Sequence, residues 1–136
     1  MTANELVEAA KEAMSRAYAP YSGYCVGAAL MTADGRVFQG CNMENASFSP
    51  TICAERVAFA KAVSEGVRDF AAMAVVGGKH GNITGLFPPC GVCRQVMREF
   101  CKDDFTVYLG GPDGEIQTRT IGELLPDSFS SEAMNG

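Results

Sequence analysis

Phe70-Ala71-Ala72-Met73-Ala74-Val75-Val76 is an apolar run without a polar break. Its length suits one strand, and the lack of alternation predicts burial on both faces, at the centre of a sheet covered by helices on either side. Toward the C-terminus, Gly77-Gly78-Lys79-His80-Gly81-Asn82 reads as a long polar loop. It leads through Pro88-Pro89 to a helix from Cys90 to about Cys101. Phe105 to Leu109 is the next strand. The link Gly110-Gly111-Pro112-Asp113-Gly114 is too short for a parallel crossover, so Glu115 to Arg119 returns antiparallel. Thr120-Ile121-Gly122-Glu123 fits a capping box for a short helix through Leu125, stopped by Pro126. A polar tail, residues 127–136, follows and carries Phe129.

Toward the N-terminus, Thr51 to Glu65 reads as a helix with Val57, Phe59, Ala60 and Val63 on its apolar side, closed by Gly66. Before it, Tyr24 to Met31 and Arg36 to Cys41 form a hairpin around Ala33-Asp34-Gly35. Asn4 to Ala17 carries Leu6, Val7, Ala10, Met14 and Ala17 at helical spacing, and Pro20 stops it. The order ββαβαβ behind a leading helix predicts an α/β fold. It is a three-layer α/β/α sandwich with a five-stranded mixed sheet, in one domain over residues 1–136.

The chain has 136 residues, 47% hydrophobic, which is enough for one compact core and too little for two ordinary domains. Its net charge of -5, with Lys and Arg scattered singly, offers no basic stripe for nucleic acid and no polybasic face for anionic lipid. No apolar run approaches a membrane span, and Met1-Thr2-Ala3-Asn4-Glu5 lacks the order of a signal peptide, so a cytoplasmic location is expected. In that reducing compartment cysteines are ligands, nucleophiles or small buried hydrophobes rather than a disulfide framework.

Three of those cysteines have ligand spacing. Cys53 opens one predicted helix in Cys53-Ala54-Glu55-Arg56, and Cys90 opens another in Pro89-Cys90-Gly91-Val92-Cys93. Three thiols make a zinc site one protein ligand short of closure, with the fourth position left for water. Both segments lie where a strand hands over to a helix, the usual end for sites in open α/β sheets. Helix N-termini favour the thiolate form that zinc needs. Glu55, two residues after Cys53, is placed to handle the protons of that water. Arg56, at i+3 from Cys53, can bond to thiolate sulfur and offset charge that three sulfurs place on the metal. A closed structural zinc site or a redox C-x-x-C remains the alternative. Against it, Cys25, Cys41 and Cys101 fall on predicted strands or a helix end, and the sole histidine, His80, sits in a Gly-rich loop.

Cys-Ala-Glu-Arg followed by Pro-Cys-Gly-x-Cys-Arg-Gln resembles the zinc-dependent cytidine deaminase family, in its small homotetrameric class. The resemblance extends through Ala19-Pro20-Tyr21-Ser22, Val26-Gly27-Ala28-Ala29, Gly40 to Ala46, and Glu123-Leu124-Leu125-Pro126 with Phe129. It implies one Zn2+ per subunit on Cys53, Cys90 and Cys93, with Glu55 as proton shuttle. It implies ribose contacts from Asn42 and Glu44, further substrate contacts from Tyr24 and Ala54, and an aromatic, Phe129, that reaches a neighbouring subunit's substrate. Tyr24 stands where the family usually has Phe, Phe48 replaces a frequent Tyr, and the Gly77 to Phe87 loop looks long.

The implied activity is hydrolytic deamination of cytidine and 2′-deoxycytidine to the uridines, with release of ammonia, in pyrimidine salvage. The implied assembly is a homotetramer with shared active sites, partnered by a small nucleoside and by neither nucleic acid nor membrane. Two alternatives stand beside it. One is deamination of another aminopyrimidine nucleoside such as blasticidin S; the other is a non-catalytic, zinc-stabilised interaction module.

Overall fold

The computed structural model describes residues 1–135; Gly136, the last residue of the tail, lies outside the described residues. Helix α1 spans Ala3–Met14, strands β1 and β2 span Tyr24–Thr32 and Val37–Cys41, and α2 spans Ala54–Ser64. Then come β3 (Phe70–Lys79), α3 (Gly91–Phe100), β4 (Thr106–Gly110) and β5 (Ile116–Thr120), the last two joined by a single 3-10 turn. Two short helices, α4 (Ile121–Leu124) and α5 (Ser131–Asn135), complete the chain.

The strands form one sheet in the order β2-β1-β3-β4-β5. Both hairpins are antiparallel as their turns predict, and only β3 and β4 run parallel. The apolar run is thus the middle strand, and Met73, Ala74, Val75 and Val76 are fully buried. α1 packs Leu6, Val7, Ala10 and Met14 on one face of the sheet, against Ala29, Ala72, Ala74 and Val76. α2 and α3 cover the other face, giving the three layers the sequence predicts. There Phe59 stacks on Phe100 at 6.0 Å and meets Phe70 edge-on at 5.0 Å, locking α2 to α3 and the sheet. Burying a phenylalanine contributes about 1.5–3 kcal/mol, so this ring is a main anchor of the layer that holds the site.

Three expectations are corrected. First, α2 starts at Ala54 rather than Thr51, because Ile52 pairs with Met43 in an antiparallel bridge and stays extended. Second, the buried face of α2 is Ala54, Glu55, Ala58, Phe59 and Ala62, while Val57 and Val63 are half-buried and Ala60 is exposed. Gly40 of β2 explains the rotation: a Cβ there would lie 2.4 Å from the Ala54 carbonyl oxygen and 2.6 Å from the Ala58 nitrogen. The helix backbone rests on the strand, and only alanine-sized residues fit between them.

Third, Gly77, Gly78 and Lys79 continue β3 and pair with β1, so the polar loop is shorter than its composition suggests. A Cβ at Gly78 would lie 1.8 Å from the Asn82 carbonyl oxygen, since the chain folds straight back over the strand. At the ends of helices the differences are smaller. α1 ends at Met14 because Ser15, Arg16 and Ala17 bond to carbonyls three residues back, which tightens the last turn. The tail contains α5, which no apolar stripe announces. Among the described residues no helix is long and apolar enough to cross a membrane.

Candidate metal centre

β2 and β3 are both antiparallel to β1, so they point the same way and end at the same edge of the sheet. Each leads to a helix whose N-cap is a cysteine, Cys53 for α2 and Cys90 for α3. This topology, rather than nearness in sequence, joins the two motifs. The sulfurs of Cys53 and Cys90 lie 3.7 Å apart, those of Cys90 and Cys93 3.5 Å apart, and all three fall within 4.8 Å of one another. Sulfurs bound tetrahedrally at about 2.3 Å would be about 3.8 Å apart, so the two closest pairs already stand at the separation a single zinc ion needs.

Neither N-cap cysteine makes a side-chain capping bond. The amides at both helix starts therefore turn partial positive charge toward the sulfurs. Arg56 adds a full charge, its Nη2 lying 3.6 Å from Cys53 Sγ. The ionisations of the sulfurs are coupled. The Cys93 thiol, then Arg56 and Cys90, draw Cys53 down to about 5, while Cys93 is driven far up by Cys53 and by its own burial. A divalent cation bound here displaces the protons the sulfurs share.

Glu55 is 3% exposed, in the first turn of α2 beside this cluster. Burial pushes its carboxyl up to about 7, and the negative charge of Cys53 adds to the shift. Its Oε1 is buried with no hydrogen-bond partner in the protein. A buried carboxylate oxygen without a partner is costly, and one persists where a ligand or a reacting group is meant to meet it.

Asn42 and Glu44 lie between Tyr18 and Ile52, the residues that bridge to Met43, which places them beside the lead-in to Cys53. Asn42 is buried; its Oδ1 accepts from the Val26 amide and its Nδ2 donates to the Tyr24 carbonyl, both at 2.8 Å. One N–H and one lone pair of that amide stay free. Glu44 accepts from the Tyr21 and Ser22 amides at 3.0 Å and from the Ser22 hydroxyl. Those bonds, the Ser22 hydroxyl first, hold its carboxyl below the usual range. Both side chains thus brace one stretch of chain, Glu44 the loop at Tyr21 and Ser22 and Asn42 the start of β1 at Tyr24 and Val26.

Tyr24 is half exposed, its ring 6.0 Å from that of Phe87 and beneath Lys79 Nζ at 5.5 Å. Ala54 is fully buried under Gly40, and Phe129 is 62% exposed on the tail. The structure therefore brings Cys53, Cys90, Cys93, Glu55 and Arg56 together and leaves the Phe129 side chain largely exposed within one chain. Two cavities, of about 910 and 370 Å3, lie elsewhere, around Arg98 to Asp104. The remaining cysteines stand apart: Cys41 donates to the Arg16 carbonyl, and burial pushes Cys101 up to about 12.

Three residues near the site carry no spacing signal of their own. Ser22 fixes Glu44, while Arg94 and Gln95, directly after the second cysteine pair, bond to carbonyls of Pro89, Leu124 and Phe129. All three stand in segments that carry the family resemblance, Ser22 after Tyr21 and Arg94-Gln95 after Cys93, but nothing in the sequence shows what they bond to.

Comparison with known proteins agrees with this geometry. Residues 1–109 match the family model of the cytidine and deoxycytidylate deaminase zinc-binding region. The cytidine deaminase of Halalkalibacterium halodurans is 52% identical over 130 residues, covering 96% of either chain. That of Sporosarcina psychrophila is 47% identical over 135 residues, 99% of this chain and 96% of its own. The crystal structure of cytidine deaminase from Burkholderia pseudomallei superposes with a TM-score of 0.87 at 51% identity, covering 95% of this chain and all of the other.

Proposed function

From the premise that this chain belongs to the cytidine deaminase family, we propose that it hydrolyses cytidine and 2′-deoxycytidine to the uridines and ammonia, serving pyrimidine salvage. The observation that carries this reading is the buried, unpartnered Glu55 Oε1 beside three sulfurs at zinc-binding separation. A zinc-stabilised interaction module would have no use for such an oxygen, whose desolvation lowers stability unless a substrate meets it.

Cys53, Cys90 and Cys93 hold the zinc, which when bound supplies the Lewis acidity that makes water nucleophilic at neutral pH. Arg56 offsets the sulfur charge from the Cys53 side. Glu55 takes a proton from the attacking water and delivers it to the ring nitrogen next to the amino-bearing carbon. A C–O bond forms at that carbon, and the same carboxyl then takes the remaining proton from the new hydroxyl and passes it to the departing amine as the C–N bond breaks, leaving a carbonyl and ammonia. One group, kept dry and ordered by the start of α2, serves as base and then acid.

Asn42 and Glu44 supply the ribose contacts, and their shared bracing of residues 21–26 keeps them in fixed orientation. Tyr24 and Ala54 line the base side. The single domain is a cytoplasmic protein that assembles as a homotetramer, with residues 127–136 contacting a neighbouring subunit and Phe129 covering its substrate. Exposure supports this: Phe129 at 62%, Phe48 at 80% and Val92 at 59% are large apolar side chains left open by one chain. An assay of absorbance loss on cytidine, run on protein of measured zinc content, tests the activity. No turnover by zinc-loaded protein rejects it. Mass in solution and the activity of a chain truncated after Pro126 test the assembly, which a fully active monomer would rule out.

A further inference from the structure

The metal centre and the tail meet on one helix. α3 carries Cys93 in its first turn behind the N-cap Cys90, and the next residue, Arg94, reaches in two directions. Its Nε donates to the Pro89 carbonyl at 2.7 Å and its Nη1 to the Leu124 carbonyl at 2.8 Å. Pro89 is fully buried, so no water serves its carbonyl, and Leu124 ends α4, so its carbonyl has no partner within that helix. A planar guanidinium can satisfy both at once with charge-assisted bonds; a lysine ammonium has no such fork. The Arg94 amide meanwhile donates to the Cys90 carbonyl at 3.0 Å. Gln95 then holds the tail itself, its Nε2 2.8 Å from the Phe129 carbonyl.

We propose that Arg94 is a positioning residue that fixes the peptide entering Cys90 against the end of α4, and so couples zinc binding to the placement of the tail that leaves α4. The inference rests on the zinc reading above. Cys90 is the most exposed of the three sulfur ligands, and its side chain caps no helix amide, so the Pro89 carbonyl is the handle by which its direction is set. Because coupling between two sites is reciprocal, zinc should tighten the segment after Leu124, as the fork tightens the zinc site.

The test uses the full chain as wild type, Arg94→Met, Arg94→Lys and Gln95→Leu. Zinc affinity is read by competition with a chromophoric chelator, sulfur geometry by the absorption bands of cobalt-substituted protein, and the tail by amide exchange over residues 125–130. Arg94→Met should bind zinc about 10- to 100-fold more weakly, the usual cost of losing a partner that orients a ligand. It should also shift the cobalt bands and speed exchange at 125–130 even when saturated. Arg94→Lys should rescue neither property fully, and Gln95→Leu, which loosens the tail but spares the fork, should weaken zinc by less than Arg94→Met does. A variant Arg94→Met that only melts earlier, with wild-type zinc affinity and cobalt bands, overturns the proposal, as does full rescue by lysine. Should Arg94→Met fail to fold, zinc titration of the wild type decides: exchange at 125–130 that does not slow with zinc also overturns it. Wild type that binds no zinc at all would instead reject the zinc reading.

Discussion

Helices α1 and α4 begin in one way, α2 and α3 in another. Thr2 and Thr120 close their helices with a capping box, each hydroxyl accepting an amide while Glu5 or Glu123 reaches back to the threonine amide. Cys53 and Cys90 occupy the same N-cap position and make no side-chain capping bond. A closed helix start satisfies its own donors and stabilises the fold. A start with its amides unsatisfied by its own side chain is stabilising only when something else, here a metal on thiolates, takes up the field. The two kinds of N-terminus therefore separate structure from chemistry in this molecule, and substitutions at each should behave in opposite ways.

The largest effect belongs to the open starts. Cys90→Ala should abolish stoichiometric zinc and bring deamination to background, with metal content and cytidine turnover as the readouts. Retained zinc with activity within tenfold of wild type would break the contrast, since the site would then not need its most exposed sulfur. Glu55→Gln comes next. It should keep zinc and lose at least ~100-fold in rate, the low end for a positioned acid–base group. Its melting temperature should not fall, because an amide is cheaper to bury than a carboxylate without a partner.

These contrasts also mark what was legible in sequence. The capping box at Thr120, the apolar run of β3 and the hairpin at Ala33-Asp34-Gly35 are local signals, and the structure follows them. The gathering of Cys53, Cys90 and Cys93 was legible because thiols at helix starts have few other uses in such a chain. The rotation of α2 was not, because it depends on contact between Gly40 and the Ala54 and Ala58 backbone, two elements that meet only in the fold. Reading valines as the buried side failed for that reason: close approach outranked hydrophobicity. The fork of Arg94 was hidden likewise, since its acceptors at Pro89 and Leu124 lie on different segments.

The closed starts should yield smaller effects, on stability alone. Thr120→Ala removes the acceptor for the Glu123 amide, 3.2 Å away, and should cost about 1 kcal/mol. In a domain of this size that is a fall of about 4 °C in melting temperature. Zinc content and turnover should hold. A loss of zinc in Thr120→Ala would blur the division, showing that the end of the sheet near α4 and the metal centre unfold as one unit.

The smallest effect should come from Glu5, and its pH dependence distinguishes it from Glu55, a carboxylate in the first turn of α2. Burial raises Glu55, whereas the Thr2 amide, at 2.9 Å, and then the Thr2 hydroxyl hold Glu5 below its ordinary value of 4.5. A carboxyl whose folded value is depressed gives stability that is fully present above the unfolded value and fades as pH falls through the folded one. Glu5→Gln keeps an oxygen for the Thr2 amide but loses the charge that favours a helix N-terminus. The variant should therefore melt slightly below wild type at pH 7, and the two should converge as the pH falls from about 4.5 through the lower folded value of Glu5, below which wild type is also neutral. Melting curves of both proteins across that range give the sign directly. A gap that widened in acid would mean that the ionised Glu5 opposes the helix start, and α1 would have to be moved from the closed class to the open one.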